Sequence, residues 1–265
     1  MSEETAFFLV DGERLVPTVL TRGPWSPVHQ HGGPPSAIMA RAIEREAGEQ
    51  DSLHITRFTI DFIRPVPIEP LTVSVERVRD GRRVRGYAAL LWAGDQAVAR
   101  ANALVVRTEP VAPPPTPIQE PLLPPPDASA PFHWPFFRDP VGYPTGMETR
   151  MASGKFGTGR AAAWMRQRVP LVLGETPSPT QRVLTVADSG SGVGAAFDPA
   201  RFVPFINADL TVALHRLPDG EWIGLDALTT LEPHGIGLTR TSLYDIRGPI
   251  GEGLQGLVIG QPVSR

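Results

Sequence analysis

Residues 60–106 read IDFIRPVPIEPLTVSVERVRDGRRVRGYAALLWAGDQAVARANALVV, and the same texture returns at 208–259 as ADLTVALHRLPDGEWIGLDALTTLEPHGIGLTRTSLYDIRGPIGEGLQGLVI. In both stretches apolar residues alternate with polar ones, the period of a half-buried strand. The alternation breaks at Asp80-Gly81 and Gly94-Asp95 in the first and at Asp219-Gly220 and Arg247-Gly248 in the second. Glycine reaches positive φ at little cost, so these pairs predict hairpin turns. Arg64 precedes Asn102 by 38 residues and Arg216 precedes Gln255 by 39. Two antiparallel meanders of matching length predict an internal repeat.

A helix-like segment stands ahead of each meander. In the first half it is GGPPSAIMARAIEREAG (32–48), where Pro34 and Pro35 fit the first helical turn and Ile38, Met39, Ala42 and Ile43 form a stripe at helical spacing. In the second it is expected to open at Asp188, within VLTVADSGSGVGAAFD (183–198), after the apolar, β-branched run of Val183, Leu184 and Val186. An Asp at a helix start has two readings, a cap for free backbone N–H groups and a base tuned by its apolar surround, and both stay open on this stretch alone. Each half therefore predicts a strand, a helix and three or four antiparallel strands, an α+β arrangement. Between the halves the prolines of EPVAPPPTPIQEPLLPPPDASAPFHWP (109–135) remove backbone donors and fix φ. The expected organisation is a domain over 1–108, a Pro-rich linker over 109–140 and a second domain over 141–265.

A chain of 265 residues, 41% hydrophobic and 20% charged, has the composition of a globular protein with a sizeable core. A net charge of -3 argues against a general attraction to nucleic acid or anionic membrane. The absence of cysteine excludes disulfides, thiolate metal sites and Cys nucleophiles. The acidic start MSEETAFFLVDGERL does not resemble a signal peptide, and no apolar run approaches membrane-spanning length. A cytoplasmic protein without membrane insertion is the expectation. G-x-S-x-G, the phosphate-binding loop, a complete G-x-G-x-x-G and H-E-x-x-H are all missing, which excludes the familiar serine-hydrolase, nucleotide and zinc-protease machines. His29 and His31 flank one residue but lack a third ligand nearby, so they are expected to bond loop backbone; no metal and no cofactor is expected.

The stretch FIRPVPIEPLTVSVERVRDGRR, preceded by HGGPPSAIMARAIE, resembles the N-terminal half of the type II acyl-CoA thioesterases. The ordered series AAAWMRQR, VADSGSGVGAAF, NADLTVALHRLPDGEWI and GLQGLVI is similar to their C-terminal half. The resemblance covers the chain outside the linker. It implies two tandem hotdog domains, each an antiparallel sheet wrapped round one long helix, with the two sheets joined edge to edge. It also implies acyl-CoA as substrate, a place in lipid metabolism, and a water held for direct attack by an Asp, a Thr and a Gln.

Position by position, the Asp falls on Asp188 and the Gln on Gln255, but the Thr falls on Asn207. An amide both donates and accepts, so Asn207 can enter such a network, although it is longer and planar. Asp209, two residues on, is expected on the same strand face as a substitute or neighbour. The first half carries Gly32 and Gly33 at the matching point, so one site per chain is expected, with its acid and amides from the second half. Gly32, Gly33, Trp25 and Trp222 are candidate substrate-binding residues; for the tryptophans core packing competes with lining an acyl or pantetheine channel. Arg64 and Arg216, at equivalent repeat positions, suggest a structural role where the domains pair. A homo-oligomer formed through the sheets would cover their edges. Two rivals remain: a hotdog hydratase or dehydratase, which would need a His five residues after its Asp where this chain has Val193, and an acyl-CoA binder without hydrolysis.

Overall fold

The computed structural model describes residues 5–48, 52–114, 116–117, 123–198 and 205–261. The first half contributes β1 (Phe8–Asp11), β2 (Arg14–Pro17), α1 (Gly33–Ala47), β3 (Leu53–Phe62), β4 (Leu71–Asp80), β5 (Val84–Ala93) and β6 (Gln96–Arg107). The second contributes β7 (Ala130–Pro131), β8 (Met147–Gly154), β9 (Arg160–Gln167), α2 (Pro179–Ala187), α3 (Gly190–Val193), β10 (Phe205–Asn207), β11 (Asp209–Leu214), β12 (Ile223–Leu231), β13 (Ile236–Asp245) and β14 (Gly248–Ile259). All these strands form one sheet in the order β1-β2-β4-β5-β6-β3-β11-β14-β13-β12-β9-β8-β7, with β10 also on β14. The expected architecture is present, and the halves meet edge to edge at the antiparallel pair β3–β11.

The repeat is regular. Equivalent strands begin at Leu71 and Ile223, Val84 and Ile236, and Gln96 and Gly248, and Thr59 faces Thr211 across the junction; each pair lies 152 positions apart. This offset places Gln255 opposite Ala103, and Leu254 opposite Asn102, so the pairing of Asn102 with Gln255 suggested by sequence spacing is off by one residue. One core runs through both halves: Ile60 pairs with Leu210 and Phe58 with Val212 across β3–β11, and these side chains pack with Ile38, Met39, Ile43, Val183 and Leu184 of the two main helices.

Gly94 (φ 61°) closes the two-residue β5–β6 loop, and Gly248 (φ 127°) follows the β13–β14 loop, as their sequences predict. Gly81 lies in the β4–β5 turn. Asp219-Gly220 departs from expectation: β11 pairs with β3 and β14 whereas β12 pairs with β9 and β13, so this turn ends a crossover instead of a hairpin. The β12–β13 hairpin turns instead through Glu232–Gly235, where Gly235 takes φ 87°.

The second helix corrects the expectation most. It starts at Pro179, with Ser178 as N-cap accepting from the Gln181 N–H at 3.1 Å, and Asp188 is its C-cap. Val183, Leu184 and Val186 are thus helical and buried. Burial of these side chains against the sheet and α1 outweighs their modest β preference. The single long helix of the expected domain is here two pieces, broken at Asp188-Ser189. The C-terminal part of the proline-rich stretch is also folded: Pro126–Ala128 form a 3-10 turn, β7 pairs with β8, and Trp134 and Phe136 are buried. No helix among the described residues is long and apolar enough to cross a membrane.

Candidate active site

Helices α1 and α2 run antiparallel, so the start of α1 meets the end of α2. At one end Glu44 accepts from Ser178 Oγ and Gln181 Nε2, both at 2.7 Å. At the other, Gly33 lies so near α2 that a Cβ there would stand 2.1 Å from the Thr185 carbonyl oxygen. A Cβ on Gly32 would lie 2.6 Å from the Phe62 ring and 2.8 Å from Asp188 Oδ2. The paired glycines are therefore what lets the loop before α1 touch Asp188.

Asp188 is 6% exposed. Its position overturns the N-cap reading, because the end of α2 presents carbonyls, not N–H groups, to a neighbouring charge. Side-chain amides hold the carboxylate instead. Asn207 Nδ2 donates to Oδ1 at 2.8 Å, while Gln255 Nε2 donates to the Asp188 carbonyl at 3.0 Å and to Oδ1 at 3.4 Å. Gln255 Oε1 accepts from the Ser191 N–H at 2.9 Å, so this buried amide also ties α3 to the site. Asn207 spends its second hydrogen on the Asp209 carbonyl at 3.1 Å. With Oδ1 occupied, Oδ2 remains, 3.3 Å from His31 Nδ1.

His31 accepts at Nδ1 from the Gly33 N–H at 3.1 Å and stacks on Tyr143 with ring centroids 3.8 Å apart. Burial lowers its pKa, partly opposed by the Asp188 charge, which favours the neutral ring with its proton on Nε2. The Tyr143 hydroxyl donates to the Thr185 carbonyl at 2.9 Å and lies 3.1 Å from Ser189 Oγ; burial pushes its pKa well up, so it stays protonated.

A cavity of about 380 Å³ opens beside this network. Trp25, Phe62, Trp134, Phe136 and Phe205 give it apolar walls, and Asp188, Asn207, His31 and Gly32 line it as well. Trp25 stacks on Phe136 at 6.0 Å. The structure thus gathers Asp188, Asn207, Gln255, Gly32 and Trp25 in one place, with Gln255 behind the acid and outside the cavity wall. Gly33 supports the helix contact from outside the cavity.

Other expectations are corrected. Trp222 lies away from the cavity and stacks with Arg150 and Arg166, at 5.3 and 4.8 Å. Asp209 is a neighbour of Asn207 through its backbone carbonyl only and not a substitute, because the strand breaks at Ala208 and its carboxylate turns to the Gly256 N–H at 2.7 Å. Counted from the N-caps Gly32 and Ser178, the first-half counterpart of Asp188 is Ala42, not the glycine pair. Among the described residues no three His, Cys, Asp or Glu side chains group as for a metal ion. His31 bonds loop backbone as expected, but its contact with Asp188 is invisible in the sequence, since it depends on how the helices cross. The walls given by Trp134 and Phe136 had a signal, the aromatic cluster FHWPFF at the end of the prolines.

A family profile described as the acyl-CoA thioesterase N-terminal domain matches residues 21–106, and one described as the acyl-CoA thioesterase C-terminal domain matches 117–259. No curated protein matches the chain. Among solved structures, a conserved hot dog fold protein of unknown function from Alicyclobacillus acidocaldarius is 18% identical with a TM-score of 0.75, covering 97% of this chain and 96% of its own. The tesB protein of Mycobacterium avium subs paratuberculosis is 18% identical with a TM-score of 0.68, covering 95% of each chain. An acyl-CoA thioesterase II from Mycobacterium marinum is 15% identical with a TM-score of 0.64, covering 89% of this chain and 91% of its own. These likenesses share the double-hotdog fold from end to end, and with both halves of the family profile matched in order, the chain belongs to the acyl-CoA thioesterase family of thioester hydrolases.

Proposed function

We propose that this protein hydrolyses an acyl-CoA with Asp188 as general base, releasing a free acid and CoA. The observation that carries the reading is the asymmetry of the carboxylate: two amides hold Oδ1, while Oδ2 is left beside an apolar cavity. A water at Oδ2 gives up a proton as its oxygen attacks the thioester carbonyl; the C–S bond then breaks and the CoA thiolate leaves. A thioester is electrophilic enough for this without a Ser or Cys nucleophile when the water is well positioned. The first turn of α1 adds little to this, since the Gly33 N–H is spent on His31 and Pro34 and Pro35 carry no N–H. Gln255 and Asn207 act as positioning residues, since their donors are spent on the acid and its surroundings.

The test is thiol release from a panel of acyl-CoAs of increasing chain length. Turnover by the wild type, reduced about 10²- to 10⁴-fold in Asp188→Asn, is the expected result. Tight binding of acyl-CoA with no thiol release would sink the hydrolase reading in favour of a binding protein.

A further inference from the structure

Arg64 and Arg216 are repeat counterparts, each two residues beyond the end of its strand, β3 or β11, and the fold treats them in opposite ways. Arg216 is locked. Its guanidinium makes a two-pronged contact with Asp245, one arm at 2.6 Å, and donates to the carbonyls of Gly248 at 2.9 Å and Pro249 at 3.0 Å. Asp245 is itself buried and held by the Asp219 and Arg247 N–H groups. At the repeat offset, the first-half counterpart of Asp245 is Ala93.

Arg64 therefore has no carboxylate to clamp it. Its backbone N–H is fixed to the Val98 carbonyl at 3.1 Å, but its exposed side chain makes no hydrogen bond or ion pair among the described residues. Arg64 lines the cavity that Asp188 also lines, and among the described residues it is the only Arg or Lys that does so. Asp188, the only carboxylate there among the described residues, keeps its Oδ1 on Asn207 and Gln255 and makes no ion pair with Arg64.

We infer that Arg64 receives a phosphate of the CoA moiety. The inference rests on the acyl-CoA reading above. A thioester carbonyl held at Asp188 leaves the acyl and pantetheine parts within the apolar cavity, and the phosphates must then lie outside, where water still reaches them. A planar guanidinium with an unused donor fork suits a phosphate there better than any other described residue lining the cavity. Loss of the Asp245 equivalent is what frees the fork, so an element that is a clamp in one half becomes a ligand contact in the other.

The decisive measurement is equilibrium binding of free CoA and of pantetheine, which lacks the phosphates, by calorimetry. In Arg64→Ala the preference for CoA over pantetheine falls about five- to tenfold; Arg64→Lys, which keeps the charge but loses the fork, falls between. An unchanged preference in Arg64→Ala, or no binding of CoA by the wild type, overturns the inference. If CoA affinity is unchanged but the variant loses affinity for an acyl-CoA bearing a terminal carboxylate and not for its methyl-ended analogue, the anion is on the acyl chain and the inference fails. A wild type that releases no thiol, yet loses CoA binding on Arg64→Ala, sinks the hydrolase reading and leaves this one standing.

Discussion

At the residue scale the site turns on one buried amide. Gln255 supports the Asp188 carbonyl, its Oδ1 and the Ser191 N–H together. Gln255→Ala, which installs the residue found at the repeat position Ala103, takes this partner from the buried Asp188 carbonyl and Ser191 N–H and leaves Oδ1 to Asn207 alone. The expected loss is about 1–3 kcal/mol of stability by chemical denaturation, with a fall in kcat as Asp188 loses its orientation. His31 makes the site sensitive to pH. Burial lowers its folded pKa below the ordinary 6.5, so above 6.5 its contribution is complete. As pH falls below 6.5 the unfolded chain binds the proton first, and stability is lost down to the folded pKa. Melting temperatures of wild type and His31→Phe, followed from about pH 7.5 to about pH 5, should fall more steeply for the wild type.

At the element scale the contact between α1 and α2 is set by two glycines with different neighbours. Gly33 meets a backbone carbonyl, which cannot rotate away, whereas Gly32 meets the side chains of Phe62 and Asp188. Gly33→Ala should separate the helices and cost about 3 kcal/mol or more, read as a large fall in melting temperature. Gly32→Ala should cost less stability, about 1–2 kcal/mol, yet reduce thiol release strongly, because the atom displaced is the Oδ2 of the base. Equal effects of the two substitutions on activity and stability would contradict this division. The helix ending at Asp188 belongs to the same scale: α2 reads poorly from sequence because its start signal, Ser178-Pro179, precedes residues with strand preference. Only their burial makes Val183, Leu184 and Val186 helical.

At the scale of the molecule the sheet passes through both halves without a seam. Backbone bonds from Phe7 and Phe8 to Pro170 and Leu171 also tie the first half's outer hairpin to the second half. Shared strands, a shared core and packed helices leave neither half its own complete interior. Calorimetry should therefore show one unfolding transition whose calorimetric and van't Hoff enthalpies agree. Two resolved transitions would show the halves to be independent.

The period-two alternation and the turn glycines determined the repeat, the antiparallel meanders and the tandem organisation, because side-chain direction along a strand is a local property. The resemblance to a known family, and not local chemistry, singled out Asp188, Asn207 and Gln255 together. It could not show that Asp188 ends a helix, that Trp222 lies elsewhere, or that Asp209 turns to Gly256. Nor could it show His31 against Asp188, or Arg216 clamped by Asp245 where Arg64 has no such partner among the described residues. Those outcomes belong to the tertiary structure alone, since each depends on which distant segments the helix crossing and the β3–β11 junction bring within a few ångströms.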